Sequence, residues 1–230
     1  MKLQKEEKKR KERKMFDPDE ATDFDRNDEE LEEFMLFCFL NHGKGAKMQA
    51  QKLQVFLQIA RDLGESPRPS LLRGDETPFE LIRFLISRDK LGEATRKAKL
   101  GQYRVVDVGF KQIAQSKIDL RTCTPEELEE IKGIKYKSSR YFILHSREDQ
   151  DYAVLDTHIL KWLREIGHKE APEQSPQSRK KYLEWEKIFF QECKDRNRNP
   201  ANFDLEIWKS KRVSYHYDDH NHDCNLPWTY

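Results

Sequence analysis

Apolar residues recur along this chain at helical spacing, and no convincing run alternates with the two-residue rhythm of a strand. The first helical stretch begins at Asp28, with Leu31, Phe34, Met35 and Cys38 expected on one face. It ends at His42-Gly43-Lys44-Gly45. A second runs roughly from Lys47 to Leu63, with Leu53, Phe56, Leu57 and Ala60 inward. Gly64 to Gly74, rich in proline and serine, reads as a linker or long loop. Thr77-Pro78-Phe79-Glu80 and Thr124-Pro125-Glu126-Glu127 share the chemistry of a helix start. In each, threonine can cap, proline suits the first turn, and glutamate can reach back to the cap amide. Phe79, Ile82 and Ile86 continue the first of these helices, and Leu128 and Ile131 the shorter second one. Between them, Leu91 to Gly101 and Val105 to Gln115 are further helix candidates.

Downstream, Val154-Leu155 leads into Asp156, a natural cap for a helix from Thr157 that Gly167 stops. His168 to Arg179 reads as a loop with two prolines. Lys181 to Lys194 is amphipathic, carrying Leu183, Ile188, Phe189 and Phe190. Asn199 to Asp204 opens a last short helix with Leu205, Ile207 and Trp208, and an aromatic, histidine-rich tail follows. The expected fold class is all-α, made of many short capped helices rather than a coiled coil.

A chain of 230 residues is long enough for one domain or two small ones. The net charge of +1 does not announce nucleic acid, so a DNA footprint must come from local segregation of charge. Met1 to Lys14 is almost entirely Lys, Arg and Glu, and reads as a solvated tail; a DNA-binding arm or a localisation signal is the sharper alternative. Cys38, Cys123, Cys193 and Cys224 are scattered, so neither a zinc knuckle nor an iron–sulfur loop is readable. The amino terminus has no apolar core of a signal peptide, and the longest apolar run, Phe34 to Leu40, is too short to cross a bilayer. These features lead to the expectation of an intracellular setting with free thiols. His216 to Cys224 holds residue types that metals favour, but its spacing fits no defined loop, and no metal is expected there. Lys44-Gly45-Ala46-Lys47 lacks the glycines and the flanking strand of a phosphate-binding loop.

The densest chemistry lies between Leu128 and Gly167. Lys132-Gly133-Ile134-Lys135 forms a glycine-centred turn between two short helices. The backbone N–H groups at the second helix's start suit a DNA phosphate, and Lys132 and Lys135 add screened attraction. An ordinary helix–turn–helix corner would look alike on this evidence alone. Lys137 follows in the first helical turn. A free lysine titrates at about 10.4 and is a poor nucleophile, but a helix N-terminus and a neighbouring cation both favour the neutral amine. Such an amine can attack a sugar C1′ and form a Schiff base. Asp156, held by capping, would stand where a carboxylate can stabilise a cationic sugar. His158 reads as structural.

Gly133-Ile134-Lys135-Tyr136-Lys137, followed by Val154-Leu155-Asp156-Thr157-His158, resembles the helix-hairpin-helix DNA glycosylase superfamily. The likeness is closer to compact 8-oxoguanine DNA glycosylase/AP lyases of the archaeal and bacterial type. Glu33 to Ala46, Asp119 to Thr124, Arg140 to Ser146 and Phe203 to Trp208 also look similar to that branch, so the resemblance spans roughly residues 30 to 210. It implies Lys137 as the Schiff-base nucleophile, Asp156 as the catalytic aspartate, and a DNA-binding hairpin at Lys132, Gly133, Ile134 and Lys135. It places Trp208 against the flipped base, with a core tryptophan as the alternative, and Phe142 is a second candidate for the base pocket. Where the family carries a second hairpin glycine, this chain has Lys135. If that position needs a positive φ, lysine is strained there.

The resemblance implies two lobes with the active site in the cleft between them. The expected division is a charged tail over 1–27, a first lobe from 28–76 plus 147–212, a second from 77–146, and a tail over 213–230. The implied partner is double-stranded DNA containing a damaged base. No cofactor and no membrane are expected, and the chain is expected to be a monomer in the nucleoid or nucleus, according to its source. Two alternatives stay open: the same fold acting on another oxidised base, and a non-catalytic helix-hairpin-helix DNA-binding module.

Overall fold

A computed structural model describes residues 16–41, 45–65 and 76–218. Much of the charged tail, most of the proline-rich loop and the end of the histidine-rich tail lie outside the described residues. Among the described residues there are ten α-helices, one short 3-10 turn and no strand. In chain order the helices are α1 (Asp28–Leu40), α2 (Ala46–Glu65), α3 (Pro78–Ser87), α4 (Leu91–Lys97) and α5 (Tyr103–Gln115). Then come α6 (Pro125–Glu129), α7 (Tyr136–Ser146), α8 (Thr157–Glu165), α9 (Arg179–Asp195) and α10 (Pro200–Asp218).

Local chemistry sets several starts. Thr77 and Thr124 each form a capping box, accepting from the backbone N–H of Glu80 and Glu127 while those carboxylates accept from the threonine amides. Asn27 and Glu30 do the same for α1. Two expectations need correction. Helix α1 is buried around most of its circumference, from Phe34 to Leu40, because it runs through the core instead of lying on it. The last helix is not short: α10 has 19 residues and extends into the expected tail.

Residues 16–27 are not a tail either. Asp17 caps the turn Pro18–Glu20, and Phe16 packs on Phe34 and Phe37. Arg26 is buried with its guanidinium 4.0 Å from the Phe34 ring centroid, and it donates to the carbonyls of Ala21, Asp23 and His145. Burial disfavours the guanidinium charge on balance, and the aromatic face and three carbonyl acceptors offset part of that cost.

Among the described residues two large apolar cores emerge, with a third, small cluster of Leu144, Val154 and Ala201. The larger joins α1 through α7, with Phe34, Phe56, Leu81, Phe110, Leu128 and Phe142 among its members. The smaller joins α8, α9 and α10 through Leu155, Leu160, Tyr182, Phe189 and Phe203. Helices α1 and α2 thus share a core with α3 to α7, and not with the helices α8 to α10 as the expected 28–76 plus 147–212 lobe required. Helix α7 packs against α1, α6 and α10. Between the two cores lies a cleft.

Candidate active site

The cleft encloses about 470 Å³, counting space open to solvent. Its walls come from five parts of the chain: Cys38 and Asn41 near the end of α1, Ala46 at the start of α2, Lys137, Ser138 and Tyr141 of α7, Val154 and Asp156 before α8, and Asp204, Leu205 and Trp208 of α10. Lys137 and Asp156 therefore line one cavity, although nineteen positions separate them in sequence.

Each is positioned by identifiable contacts. Lys137 lies in the first turn of α7, half-buried, and its Nζ donates to the Asn41 carbonyl at 3.4 Å. Asp156 caps α8 through Oδ1, which accepts from His158 N at 2.8 Å and Ile159 N at 2.9 Å. The cap itself leaves Oδ2 uncommitted. The lead-in to Asp156 is tied to α9. The Tyr182 hydroxyl donates to Ala153 O at 2.8 Å and accepts from Leu155 N at 3.1 Å. Glu186, one turn further along α9, accepts from Ala153 N and from Arg140 Nε, both at 3.0 Å. Arg140 lies one turn past Lys137 on α7 and also donates to Glu129 at 2.6 Å. A continuous chain of bonds thus runs from α7 through Arg140 and Glu186 to the segment carrying Asp156. Burial pushes the Glu186 carboxyl up, opposed by Arg140 beside it.

The hairpin sits below Lys137. Ile131 and Ile134 are buried in the larger core, while Lys132 and Lys135 are exposed. Gly133 has φ +105°, and a Cβ there would stand 2.8 Å from the Phe39 ring. The Lys132 amide is held by Gln112 Oε1 at 2.8 Å. Lys135 has φ −134° and ψ −179°, extended backbone that any residue adopts, so the lysine at the second hairpin position is unstrained. It stands at the N-cap of α7 with no side-chain cap on the helix start.

Trp208 lines the cleft. Phe142 does not. It is fully buried against Phe34 in the larger core, because one residue's advance along α7 turns it away from the cleft face that Tyr141 occupies. The residue that sequence reasoning passed over is Asp204. It is 5% exposed, lines the cleft, and its carboxyl is pushed up to about 6 by burial, opposed by a hydrogen bond from His145. A carboxylate four positions before Trp208 was the available signal, since that spacing places both on one helix face. Among the described residues no group of three or more His, Cys, Asp or Glu side chains is arranged to hold a metal ion. Cys38, Cys123 and Cys193 are free and buried.

An all-helical chain with a hairpin, a lysine opening the next helix and a capping aspartate across a cleft defines the helix-hairpin-helix DNA glycosylase class. Comparison with known proteins narrows it. Residues 80–197 match the family model described as 8-oxoguanine DNA glycosylase, and the chain belongs to that family. A protein of Thermoplasma acidophilum named 8-oxoguanine DNA glycosylase/AP lyase is 30% identical over 182 residues, covering 74% of this chain and 83% of the relative. A protein of the same name from Picrophilus torridus is 38% identical over 81 residues, 35% of this chain and 37% of that relative's length. No solved structure matches at the same significance. Among the described residues no helix is long and apolar enough to cross a membrane.

Proposed function

We propose that this protein is a DNA base-excision glycosylase with AP lyase activity, acting as a monomer on double-stranded DNA in which a guanine has been oxidised to 8-oxoguanine. The observation that carries this reading is the joint presence of Lys137, Asp156 and Trp208 on one cleft. The uncapped start of α7 offers its first-turn amides to a DNA phosphate, supported by exposed Lys132 and Lys135. The damaged nucleotide turns out of the duplex into the cleft, at a cost of a few kcal/mol in lost stacking.

There Lys137 Nζ, as the free amine, forms a bond to C1′ while the glycosidic C1′–N bond breaks. The departing base takes the bonding electrons and then a proton. Asp156 faces the positive charge that builds on the sugar. Opening of the sugar ring gives a protonated Schiff base between Nζ and C1′. Loss of a C2′ proton then expels the 3′ phosphate oxygen by β-elimination. Water finally hydrolyses the Schiff base, restoring the lysine. No step calls on a cofactor.

Borohydride trapping on a duplex with one 8-oxoguanine tests the reading, because reduction of the Schiff base fixes the protein to DNA. The wild-type chain is expected to form the adduct, Lys135→Gln to retain it, and Lys137→Gln to lose it. Undiminished lyase cleavage by Lys137→Gln would remove the lysine from the mechanism. A panel of oxidised purines and pyrimidines assigns the lesion.

A further inference from the structure

Lys137 and Asp156 line the cleft, but what fixes their separation stands behind its wall. Residues 153–155 lead into Asp156 without forming a helix or strand. Ala153 and Leu155 are buried in the smaller core, while Val154 between them lines the cleft, the alternation of an extended chain. Peptide groups buried in this way need partners, because an unpaired one costs free energy. Helix α9 supplies them from side chains. The Tyr182 hydroxyl bridges Ala153 O and Leu155 N, at 2.8 and 3.1 Å, and Glu186 Oε1 takes Ala153 N at 3.0 Å. One face of α9 thus does for this segment what a neighbouring strand would do.

The same two side chains reach α7. The Tyr182 ring lies 5.5 Å from the ring of Tyr136, the residue before Lys137, and 5.0 Å from the Arg140 guanidinium. Glu186 Oε1 also accepts from Arg140 Nε at 3.0 Å. Tyr182 therefore contacts both the turn that carries the amine and the segment that carries the carboxylate. It is fully buried and is not part of the cleft wall. Burial pushes its hydroxyl well above the ordinary tyrosine range, so it keeps its proton and stays both donor and acceptor at neutral pH.

We propose that Tyr182, together with Glu186, is a positioning residue that sets how the Asp156 carboxylate faces the Lys137 amine. This rests on the glycosylase reading, in which Asp156 meets the charge building on the sugar. Asp156 Oδ1 is committed to two amides of α8, so the carboxylate moves with the start of that helix. Residues 153–155 decide where that start lies, and α9 holds residues 153–155. A misplacement of about 1 Å at a reacting centre can cost on the order of a hundredfold in rate.

Tyr182→Phe keeps the ring on Tyr136 and removes only the hydroxyl. Single-turnover release of 8-oxoguanine is expected to fall by about tenfold or more. Strand cleavage at a preformed abasic site is expected to stay within about threefold of wild type, because the amine there adds to a ring-opened aldehyde and no sugar cation calls on the carboxylate. A merely structural role would lower both rates together, through loss of folded protein. Equal losses in the two assays, or no loss in either, overturn the proposal. If Tyr182→Phe fails to fold, Glu186→Gln decides by the same pair of assays, since it gives up the charge that strengthens the bonds to Arg140 and Ala153. Selective loss of base release supports the proposal, and parallel or absent loss overturns it. A wild-type chain that neither releases the base nor forms a borohydride adduct removes the glycosylase reading itself, a result distinct from a non-selective Tyr182→Phe.

Discussion

Asp204 shows what burial does to a single carboxyl. Its value rises from the ordinary 3.8 to about 6, burial being the largest cause. His145 and Lys137 oppose the rise, and Asp156 adds to it. The folded state therefore holds this proton more tightly than the unfolded chain does. The stabilisation is fully present below pH 3.8 and is lost as pH rises through about 6. A shift of this size corresponds to at most about 3 kcal/mol. Urea titrations at a series of pH values are expected to show wild type losing more stability than Asp204→Asn between pH 4 and pH 7. Parallel curves would contradict the shift. A fold that keeps such a charge at neutral pH gives up stability at its site, a common feature of functional positions. The shift was not legible in the sequence, because it comes from burial; only the four-residue spacing to Trp208 was. Lys137 and Asp156 were legible, because each stands beside a local helix-start signal.

At the scale of elements, the hairpin depends on Gly133. Its φ of +105° lies where L side chains are strained, and a Cβ would meet Phe39 at 2.8 Å and Val105 at 3.0 Å. Gly133→Ala is expected to lower stability by about 1–3 kcal/mol and to weaken binding to duplex DNA, since the turn carries the start of α7. Chemical denaturation and fluorescence anisotropy measure the two effects; an unshifted urea midpoint would mean that the turn relaxes freely. The capping boxes at Thr77 and Thr124 were readable because they are satisfied within four residues. The extent of α10 was not readable, since no stop signal follows Trp208 closely and the helix gains support from its packing on α7, α8 and α9. Whether Lys135 is strained was not readable for a similar reason: its backbone angles depend on how the turn meets α7, and they prove extended.

The whole molecule is held across its two cores by Arg140. This guanidinium is 1% exposed and bonds Glu129 of α6 and Glu186 of α9, with the Tyr182 ring 5.0 Å away. Arg140→Met would leave two carboxylates in the interior without their cation. The expected cost is about 3–5 kcal/mol in urea unfolding, because an unpaired buried charge is far more costly than a lost surface pair. Base excision is expected to fall as well, since Glu186 also holds Ala153 ahead of Asp156. A loss under 1 kcal/mol would show that water or a shifted backbone takes over the pairing. The division of the chain into cores was misread from sequence. Apolar spacing shows that a helix has an inward face, but not which neighbours meet it, and α1 is apolar on nearly every side.

The sequence by itself determined the helical class, most helix starts and the hairpin glycine. These rest on steric limits and hydrogen bonds that close within a few residues. Tertiary structure decided which helices share a core, that Phe142 turns inward, that residues 16–27 are packed, and that Asp204 shares a cleft with Lys137. Those outcomes depend on burial and on contacts between distant segments, where the environment of a side chain, and not its identity, sets what it does.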